Sequence, residues 1–390
     1  MHLRPKIFTV PRRYVQGPGV LRTIAGKQIA IFGKKALVVG GRRSTAAAES
    51  AGLFKALEEA GITYIRERFG GECTKKEIAR LAKIAKDNDC DVVISIGGGK
   101  VMDTGKIAAY DAGAEVVMIP TQVATNAAES AVSVIYTEEG VFEEYRFIDK
   151  NPALIVIDSE IIANAPVRFL IAGIGDAASE KFEGEACYKT GAKNLVIAPE
   201  WVGYMTKLSL TLCQMAYENL RQYSEGAIEA VLRKVVTPAL ETIIETIVLW
   251  TGAGFECTGL AAAHSVHNGI TAIEHLIPRE KRPLHGELVN FGICTQLILE
   301  DRTRDEIVAH YKWSHGIGLP VTFEELGFPE GHPTDEELWK AAEKACAEGE
   351  TIHNMPFDVT PEMVFYSMKA ADELGKKIAK AVPRPPYVTW

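Results

Sequence analysis

The stretch Asp91-Val92-Val93-Ile94-Ser95-Ile96-Gly97-Gly98-Gly99-Lys100 decides the fold of the first part of this chain. The segment 91–96 is short, mostly apolar and rich in β-branched side chains, which predicts a strand buried on both faces of a parallel sheet. Three glycines follow, and a helix is predicted from Lys100. The free N–H groups and the positive dipole end of such a helix attract anions, and glycine lets a pyrophosphate approach the backbone closely. The stretch therefore predicts a phosphate-binding turn, with a plain tight turn as the alternative.

A second glycine pattern, Gly173-Ile174-Gly175-Asp176-Ala177-Ala178, matches the spacing of a dinucleotide fingerprint. No β-branched run leads into it, because the preceding residues 166–169 contain a proline and an arginine. We therefore predict that this segment is the start of a helix with another purpose.

Length and composition exclude several classes of protein. The chain has 390 residues, enough for two domains, and a net charge of −8, which argues against a nucleic-acid partner. No apolar run reaches the roughly 18 residues that a membrane span needs. Residues 1–6 lack an apolar signal region, and the seven cysteines are scattered without a Cys-x-x-Cys pair. We expect a cytoplasmic protein with reduced thiols and no membrane partner.

The order of predicted elements changes after residue 158. Predicted strands cover 36–39, 62–66, 91–96, 116–119, 132–136, 142–147 and 154–157, with a hairpin between the fifth and the sixth. Helices are predicted over 44–60, from a Thr74 capping box to 87, and over 208–220, 224–250 and 258–272, with later starts at Thr334 and Thr360. This pattern predicts a Rossmann-like α/β domain with a parallel sheet over 1–162, and an all-α domain that binds metal and substrate over 163–390.

Three segments of the helical half carry metal-ligand chemistry. His264 and His267 lie three residues apart on one predicted helix face, His285 follows in Pro283-Leu284-His285-Gly286-Glu287, and Asp176 precedes them. One carboxylate and two imidazoles from three helices form a three-ligand site with an open fourth position, as in catalytic zinc centres. The alternative for each histidine alone is a satisfied core residue.

Together these motifs resemble the glycerol dehydrogenase branch of the iron- and zinc-containing (group III) alcohol dehydrogenases, over nearly the whole chain. The motifs that carry the resemblance are residues 97–106, 120–128, 133–140, 173–177, 259–269 and 285–287. The resemblance implies a dehydroquinate synthase-like two-domain architecture with catalysis in the cleft between the domains. It also implies that a metal-dependent, NAD(P)-linked oxidoreductase interconverts a small polyol or hydroxy compound and its ketone by hydride transfer, as a homo-oligomer.

The resemblance also assigns roles to individual residues. Asp176, His264 and His285 match the family's metal ligands, here one Zn²⁺ per chain, and His267 is a candidate proton relay. Pyrophosphate contacts are expected from Gly97, Gly98, Gly99, Lys100 and Asp103. The residues that match positions lining the adenosine and the nicotinamide are Thr121, Ala124, Ser130, Val132 and Tyr136.

Three positions depart from the family pattern. Glycerol dehydrogenases carry Asp where this chain has Asn126. The asparagine removes a negative charge and adds a hydrogen-bond donor, so a 2-oxo acid is repelled less. Arg42 and Arg43 stand where NAD-preferring members carry an acid, which favours NADP over NAD. Glu180 stands where iron-dependent relatives carry a histidine as a fourth metal ligand. Its absence favours zinc, although a glutamate can also ligate.

Two alternative activities follow from these observations. An NADPH-dependent 2-oxo acid (hydroxycarboxylate) reductase is suggested by Asn126 and the two arginines. A sugar-phosphate cyclase of the dehydroquinate synthase type would share the fold, but no cluster of lysine and arginine for a substrate phosphate lies near Asp176 or His264 in the sequence.

Overall fold

The computed structural model of this protein describes residues 4–138, 140, 142–198 and 201–387. The strands in these ranges are β1 (Tyr14–Gly17), β2 (Lys35–Gly40), β3 (Thr63–Arg68), β4 (Val92–Gly97), β5 (Glu115–Pro120), β6 (Val132–Tyr136), β7 (Phe142–Phe147), β8 (Leu154–Asp158), β9 (Lys193–Ala198) and β10 (Trp201–Tyr204). The α-helices of the first half are α1 (Gly26–Ile29), α2 (Arg42–Ser50), α3 (Leu53–Glu59), α4 (Lys75–Asp87), α5 (Gly99–Ala112) and α6 (Ser159–Ala163).

The α-helices of the second half follow in the order α7 (Val167–Thr190), α8 (Lys207–Leu232), α9 (Pro238–Glu245), α10 (Thr251–Thr258), α11 (Ala262–Thr271), α12 (His285–Leu299), α13 (Arg304–Gly316), α14 (Asp335–Ala345) and α15 (Pro361–Ala381). No helix of the described residues is both long and apolar enough to pass through a lipid bilayer.

Six strands form one sheet in the order β1-β8-β5-β4-β2-β3, and every pair of neighbours is parallel. All six residues of β4 are buried, as expected for a strand covered on both faces. The predicted α/β fold with a parallel sheet is thus confirmed, and helices dominate the chain after β8. The carboxyl ends of the strands meet at one edge, which is where open α/β sheets bind their ligands.

The hairpin predicted over 132–147 is confirmed as the antiparallel pair β6–β7, which lies outside the main sheet. Glu139 in its predicted turn, like the N-terminal segment 1–3, lies outside the described residues. The capping box predicted at Thr334 is present, and the Thr74 side chain accepts the N–H of Glu77. The Glu77 carboxylate accepts from the N–H of Gly70 instead of returning to Thr74, so that capping box is only half formed.

Three predicted helix boundaries are wrong, each for a backbone reason. The helix predicted over 44–60 is two helices, because Gly52 has φ +88°. The helix predicted over 224–250 is broken between α8 and α9, where Lys234 has φ +55° and α9 begins at Pro238. The helix predicted from residue 258 begins at Ala262, since Gly259 at φ +102° ends α10. Propensity and periodicity do not detect such single residues.

Two further differences affect the second half. The segment Gly173–Ala178 is the interior of α7, which begins at Val167, and therefore is not a helix start. The second half is also not purely helical, since β9 and β10 form a short antiparallel hairpin. Each is a local departure within the confirmed fold class.

Apolar side chains fill both faces of the sheet. Val38 and Ile94 belong to the cluster beneath α1 and α3, whereas Leu37 and Ile155 belong to a cluster on the other face. That second cluster continues without interruption to Phe182 of α7 and Leu220 of α8. The α/β part and the helical part thus share buried apolar surface, and the division between residues 162 and 163 stays a prediction.

Candidate active site

The three glycines form the turn between β4 and α5, as predicted. Gly97 ends the strand at φ +153°, where a Cβ would lie 2.6 Å from Val101 Cγ1, so only glycine fits there. Gly98 is the N-cap residue of α5 and provides no side-chain cap. The first N–H groups of α5 therefore lack the partner that a Ser, Thr or Asp cap supplies, which is the arrangement that binds an anion. Gly98 and Gly99 are partly exposed.

Lys100, also predicted to contact phosphate, is exposed beside this turn. Its Nζ donates to the carboxylate of Glu72 and lies 5.5 Å from the centre of the Tyr136 ring. Burial of the Tyr136 phenol is the main reason why its pKa is raised.

Asp103 has a different surrounding from the one predicted. It is buried, with Oδ1 2.9 Å from Lys106 Nζ, and Oδ2 accepts the N–H of Val134 at 3.2 Å. Burial raises the pKa of Asp103, and the adjacent Lys106 opposes that rise. The ion pair lies within α5, whereas the hydrogen bond from the Val134 N–H joins α5 to β6. The phosphate contact expected of Asp103 stays a prediction.

Lys106 is a residue that the sequence analysis missed. It is fully buried, and its Nζ donates to the carbonyl oxygens of Ala127 and Val132, with Ser130 Oγ 3.5 Å away. A lysine three positions after an aspartate on one predicted helix was the available signal. This one ammonium group ties the loop after β5 to α5.

The loop after β5 contacts both the glycine turn and α7, the helix that carries Asp176. Its Thr121 N–H donates to the carbonyl of Gly97 at 3.0 Å. Its Val123 carbonyl oxygen packs against Gly173, where a Cβ would lie only 1.9 Å away. This close approach explains the glycine pattern in α7 and brings the predicted dinucleotide turn close to the predicted metal site.

The other residues predicted to line the cofactor lie along this loop and its continuation into β6. Thr121 and Val132 are partly exposed, whereas Ala124 and Ser130 are buried. Arg42 and Arg43 are exposed at the start of α2, at the carboxyl end of β2. The Ser44 hydroxyl that follows them donates to the carbonyl of Ile96 at 2.9 Å, which fixes the start of α2 beside the glycine turn.

Asp176, His264 and His285 come together from three helices, as predicted. Asp176 Oδ1 lies 3.5 Å from His264 Nε2 and 3.1 Å from His285 Nε2. Their ligand atoms lie within 4.8 Å of one another, and no other trio of His, Cys, Asp or Glu in the described ranges does so. Glycine makes this possible, since a Cβ on Gly286 would lie 1.8 Å from the Ala172 carbonyl oxygen, so α12 packs directly on α7.

The trio fits a divalent cation. Asp176 Oδ1 is sealed from solvent and accepts no hydrogen bond from any described residue, although a buried carboxylate oxygen normally has a partner. Burial alone would raise the pKa of Asp176, but His285 and His264 outweigh it and hold that pKa well below its usual range. A carboxylate whose pKa is lowered, together with two imidazoles, is a donor set that Zn²⁺ accepts.

A second layer of groups orients the two histidines. His264 Nδ1 lies 2.6 Å from Glu183 Oε2, and Glu183 Oε1 accepts the N–H groups of Ala261 and His264 at 2.8 and 3.0 Å. A carboxylate in this position fixes the tautomer that leaves Nε2 free to ligate. Sequence reasoning missed Glu183, although its spacing of seven residues from Asp176 puts both on one face of α7.

His267 is also engaged on both sides of its ring. Its Nε2 lies 3.0 Å from His285 Nδ1, and its Nδ1 lies 3.0 Å from Asn268 Oδ1. Burial, together with the neighbouring imidazoles, keeps the pKa of His267 well below its usual value. This geometry orients His285, and the proton-relay role stays a prediction.

Asn126 and Glu180 meet beside this trio. Asn126 Nδ2 lies 3.5 Å from Glu180 Oε1, and Glu180 is one helical turn after Asp176. Burial raises the pKa of Glu180 well above its usual range. Among the described residues Glu180 does not join the group of atoms close enough to share one ion.

Known proteins resemble this chain along almost its entire length. Residues 11–159 match the family model described as iron-containing alcohol dehydrogenase. The glycerol dehydrogenase of Escherichia coli O6:H1 is 41% identical over 95% of this chain and 98% of its own. The glycolaldehyde reductase of Halobacterium salinarum is 40% identical over 95% of this chain and 98% of its own. The crystal structure of glycerol dehydrogenase from Schizosaccharomyces pombe superposes with a TM-score of 0.90 at 33% identity, covering 99% of this chain and 98% of that one.

Proposed function

Because this chain belongs to the iron-containing alcohol dehydrogenase family, in its glycerol dehydrogenase branch, we propose that it is a zinc-dependent, NAD(P)-linked polyol dehydrogenase. The reaction interconverts a small polyol and its ketone by hydride transfer. The observation that carries this proposal is the buried Asp176 Oδ1, which lies 3.5 Å from His264 Nε2 and 3.1 Å from His285 Nε2, one short loop away from the glycine turn.

The residues of this chain have separable tasks in that reaction. Asp176, His264 and His285 would hold the ion, with Glu183 and His267 fixing the ring orientations of the two histidines. A divalent cation supplies Lewis acidity to a substrate hydroxyl, and a nicotinamide supplies the hydride acceptor. The N–H groups at the start of α5 would bind the dinucleotide's pyrophosphate, which holds the nicotinamide end toward the metal trio.

Zinc is the proposed metal for two reasons. Three protein ligands with an open fourth position form the usual catalytic zinc site. Glu180 occupies the position of the additional histidine of iron-dependent relatives, but it does not reach the ligand trio in the described structure. Elemental analysis of the purified protein tests this point directly, and one equivalent of iron without zinc would refute it.

NADP is the proposed coenzyme, because Arg42 and Arg43 are exposed where α2 begins beside the glycine turn. A guanidinium binds a phosphate through two parallel hydrogen bonds, so this pair suits the 2′-phosphate. The ratio of kcat/KM for NADP over NAD is expected to fall at least tenfold in Arg42→Ala/Arg43→Ala. Equal use of both coenzymes by the unaltered protein would contradict the assignment.

The hydroxycarboxylate reductase is the weaker alternative. Both full-length relatives described above are named for neutral substrates, glycerol and glycolaldehyde, and neither name contains an acid. The cyclase alternative has no comparable support. A cytoplasmic location and a homo-oligomeric state stay expectations from the sequence.

Activity before and after removal of the metal tests the proposal. The protein is expected to oxidise glycerol with NAD or NADP, to lose that activity on treatment with a chelator and to regain it with Zn²⁺. His264→Ala is expected to abolish turnover while circular dichroism shows that the fold is retained. Turnover that survives complete removal of metal would refute the proposal.

A further inference from the structure

The orientation of the Asn126 amide is determined by its neighbours. Its Nδ2 lies 3.5 Å from both Glu180 Oε1 and the carbonyl oxygen of Thr251. A backbone carbonyl oxygen can only accept a hydrogen bond, so the NH₂ group must be the part that faces inward. The Asn126 Oδ1 accepts no hydrogen bond from the described residues, and it is not among their sealed, unpartnered atoms. The side chain is 8% exposed, so this oxygen is the polar atom that it leaves available to a ligand.

Glu180 is well placed to maintain this orientation. It is 1% exposed, and its Oε2 is sealed with no hydrogen-bond partner among the described residues. Its other carboxylate oxygen receives the Asn126 N–H, so the carboxylate is a second acceptor beside the carbonyl of Thr251. The carbonyl oxygen of Thr251 can only accept, so a rotation of 180° about the terminal torsion of the amide would bring the Asn126 oxygen against it and is unfavourable. The Glu180 oxygen that receives the Asn126 N–H adds to this preference.

We propose that Glu180 is a positioning residue that holds the Asn126 carbonyl oxygen toward the cleft, and that this orientation selects neutral hydroxyl substrates over carboxylates. The proposal rests on the polyol dehydrogenase function proposed above. A substrate hydroxyl can donate to this oxygen, whereas a carboxylate only accepts and is repelled by it.

This proposal changes the interpretation of Asn126 that the sequence suggests. Replacement of the family's aspartate by asparagine adds a donor, which by itself makes a 2-oxo acid more acceptable. In the structure both amide hydrogens are directed inward, toward Glu180 and Thr251. Asn126 therefore presents to substrate the same kind of atom as an aspartate, an acceptor oxygen, without the charge.

Glycerol and glycerate form a matched pair for the test, since glycerate replaces one CH₂OH group with a carboxylate. The measured quantities are kcat/KM for glycerol and the inhibition constant of glycerate against glycerol. Glu180→Leu removes the acceptor. It is expected to strengthen the binding of glycerate at least tenfold relative to the use of glycerol. Glu180→Gln keeps an acceptor oxygen, so both measured quantities are expected to stay within about threefold of those of the unaltered enzyme.

A second background shows whether Glu180 acts through Asn126. With Asn126→Ala in place, Glu180→Leu is expected to leave the relative affinity for glycerate unchanged. An equal shift in both backgrounds would mean that Glu180 acts on the substrate directly, which contradicts a positioning role. Two other results would also overturn the proposal. One is a loss of zinc from Glu180→Leu, measured by elemental analysis, and the other is an equal loss of affinity for glycerol and glycerate.

The two proposals fail in different ways. If the unaltered, zinc-loaded protein oxidises no polyol with either coenzyme, the proposed function itself is wrong. If that protein oxidises glycerol but Glu180→Leu leaves the discrimination between glycerol and glycerate unchanged, only the inference about Glu180 is wrong.

Discussion

His264 Nδ1 lies 2.6 Å from Glu183 Oε2, so the imidazole that faces Asp176 is held from behind by a buried carboxylate. The same carboxylate accepts two backbone N–H groups at the start of α11 through its other oxygen. The orientation of one predicted metal ligand and the position of the helix that carries it therefore depend on one side chain of α7.

Glu183→Gln is expected to weaken metal binding by about 10- to 100-fold. The glutamine oxygen can keep the backbone hydrogen bonds, so its NH₂ group would face His264 Nδ1 and move the ring proton to Nε2, the ligating atom. Competition for zinc with a chromogenic chelator measures the affinity. Glu185→Gln on the same helix, whose carboxylate pairs with Arg302 at 2.9 Å, is the matched control. Unchanged affinity in Glu183→Gln would contradict this role.

Lys106→Met is expected to lower the free energy of unfolding by about 3–5 kcal/mol, because it leaves the buried carboxylate of Asp103 without its counter-charge. The two groups lie 2.9 Å apart, with Lys106 fully buried. Denaturant unfolding measures the loss, and Asp103→Asn added to Lys106→Met is expected to restore part of it. A double variant that loses the sum of the two single losses would show that the pair does not interact.

Gly97→Ala and Gly99→Ala distinguish the role of the glycine turn in stability from its role in coenzyme binding. Alanine at Gly97 must adopt φ +153° with its Cβ 2.6 Å from Val101 Cγ1, so we expect a stability loss of about 1–3 kcal/mol. At Gly99 the nearest atom would be 3.7 Å away, so stability should hold. A methyl group there points into the space proposed for the pyrophosphate and is expected to raise the coenzyme Kd. Unaltered coenzyme affinity in Gly99→Ala would place the phosphates elsewhere.

The pair Glu129 and Glu256 is expected to make the protein less stable as the pH rises. Burial raises the pKa of Glu256 to about 7, and burial together with the charge of Glu256 raises that of Glu129 well above its usual range. Between pH 4.5 and 7 the folded state then holds a proton that the unfolded state has lost. For Glu256 this lowers the free energy of unfolding by on the order of 3 kcal/mol across that window.

Glu129→Gln tests this prediction, since both oxygens of Glu129 lack a partner in the described structure and glutamine cannot ionise. The variant is expected to gain stability relative to the unaltered protein as the pH rises from 5 to 8, measured by denaturant unfolding. Glu348→Gln, at an exposed position, controls for the loss of one acidic group. If the stability advantage of Glu129→Gln over the unaltered protein became smaller as the pH rises, the raised pKa values of this pair would be refuted.

The sequence alone determined the elements whose signal is local. The β-branched run before Gly97 predicted β4, the alternation of strands and helices predicted the parallel sheet, and Thr334 and Pro361 predicted the starts of α14 and α15. The choice of Asp176, His264 and His285 came from residue chemistry and from the family resemblance. These signals lie in neighbouring residues, where periodicity, capping and glycine conformation act directly on the backbone.

Only the tertiary structure decided how distant groups pair. Nothing local in the sequence indicates that Glu183 holds His264, that Lys106 ties the loop after β5, or that the NH₂ group of Asn126 faces inward. Each of these contacts joins segments more than twenty residues apart, and its geometry follows from how closely the helices pack, which Gly173 and Gly286 set by lacking a Cβ. Local patterns specify elements, but the chemistry of a buried polar group depends on the partner that packing brings to it.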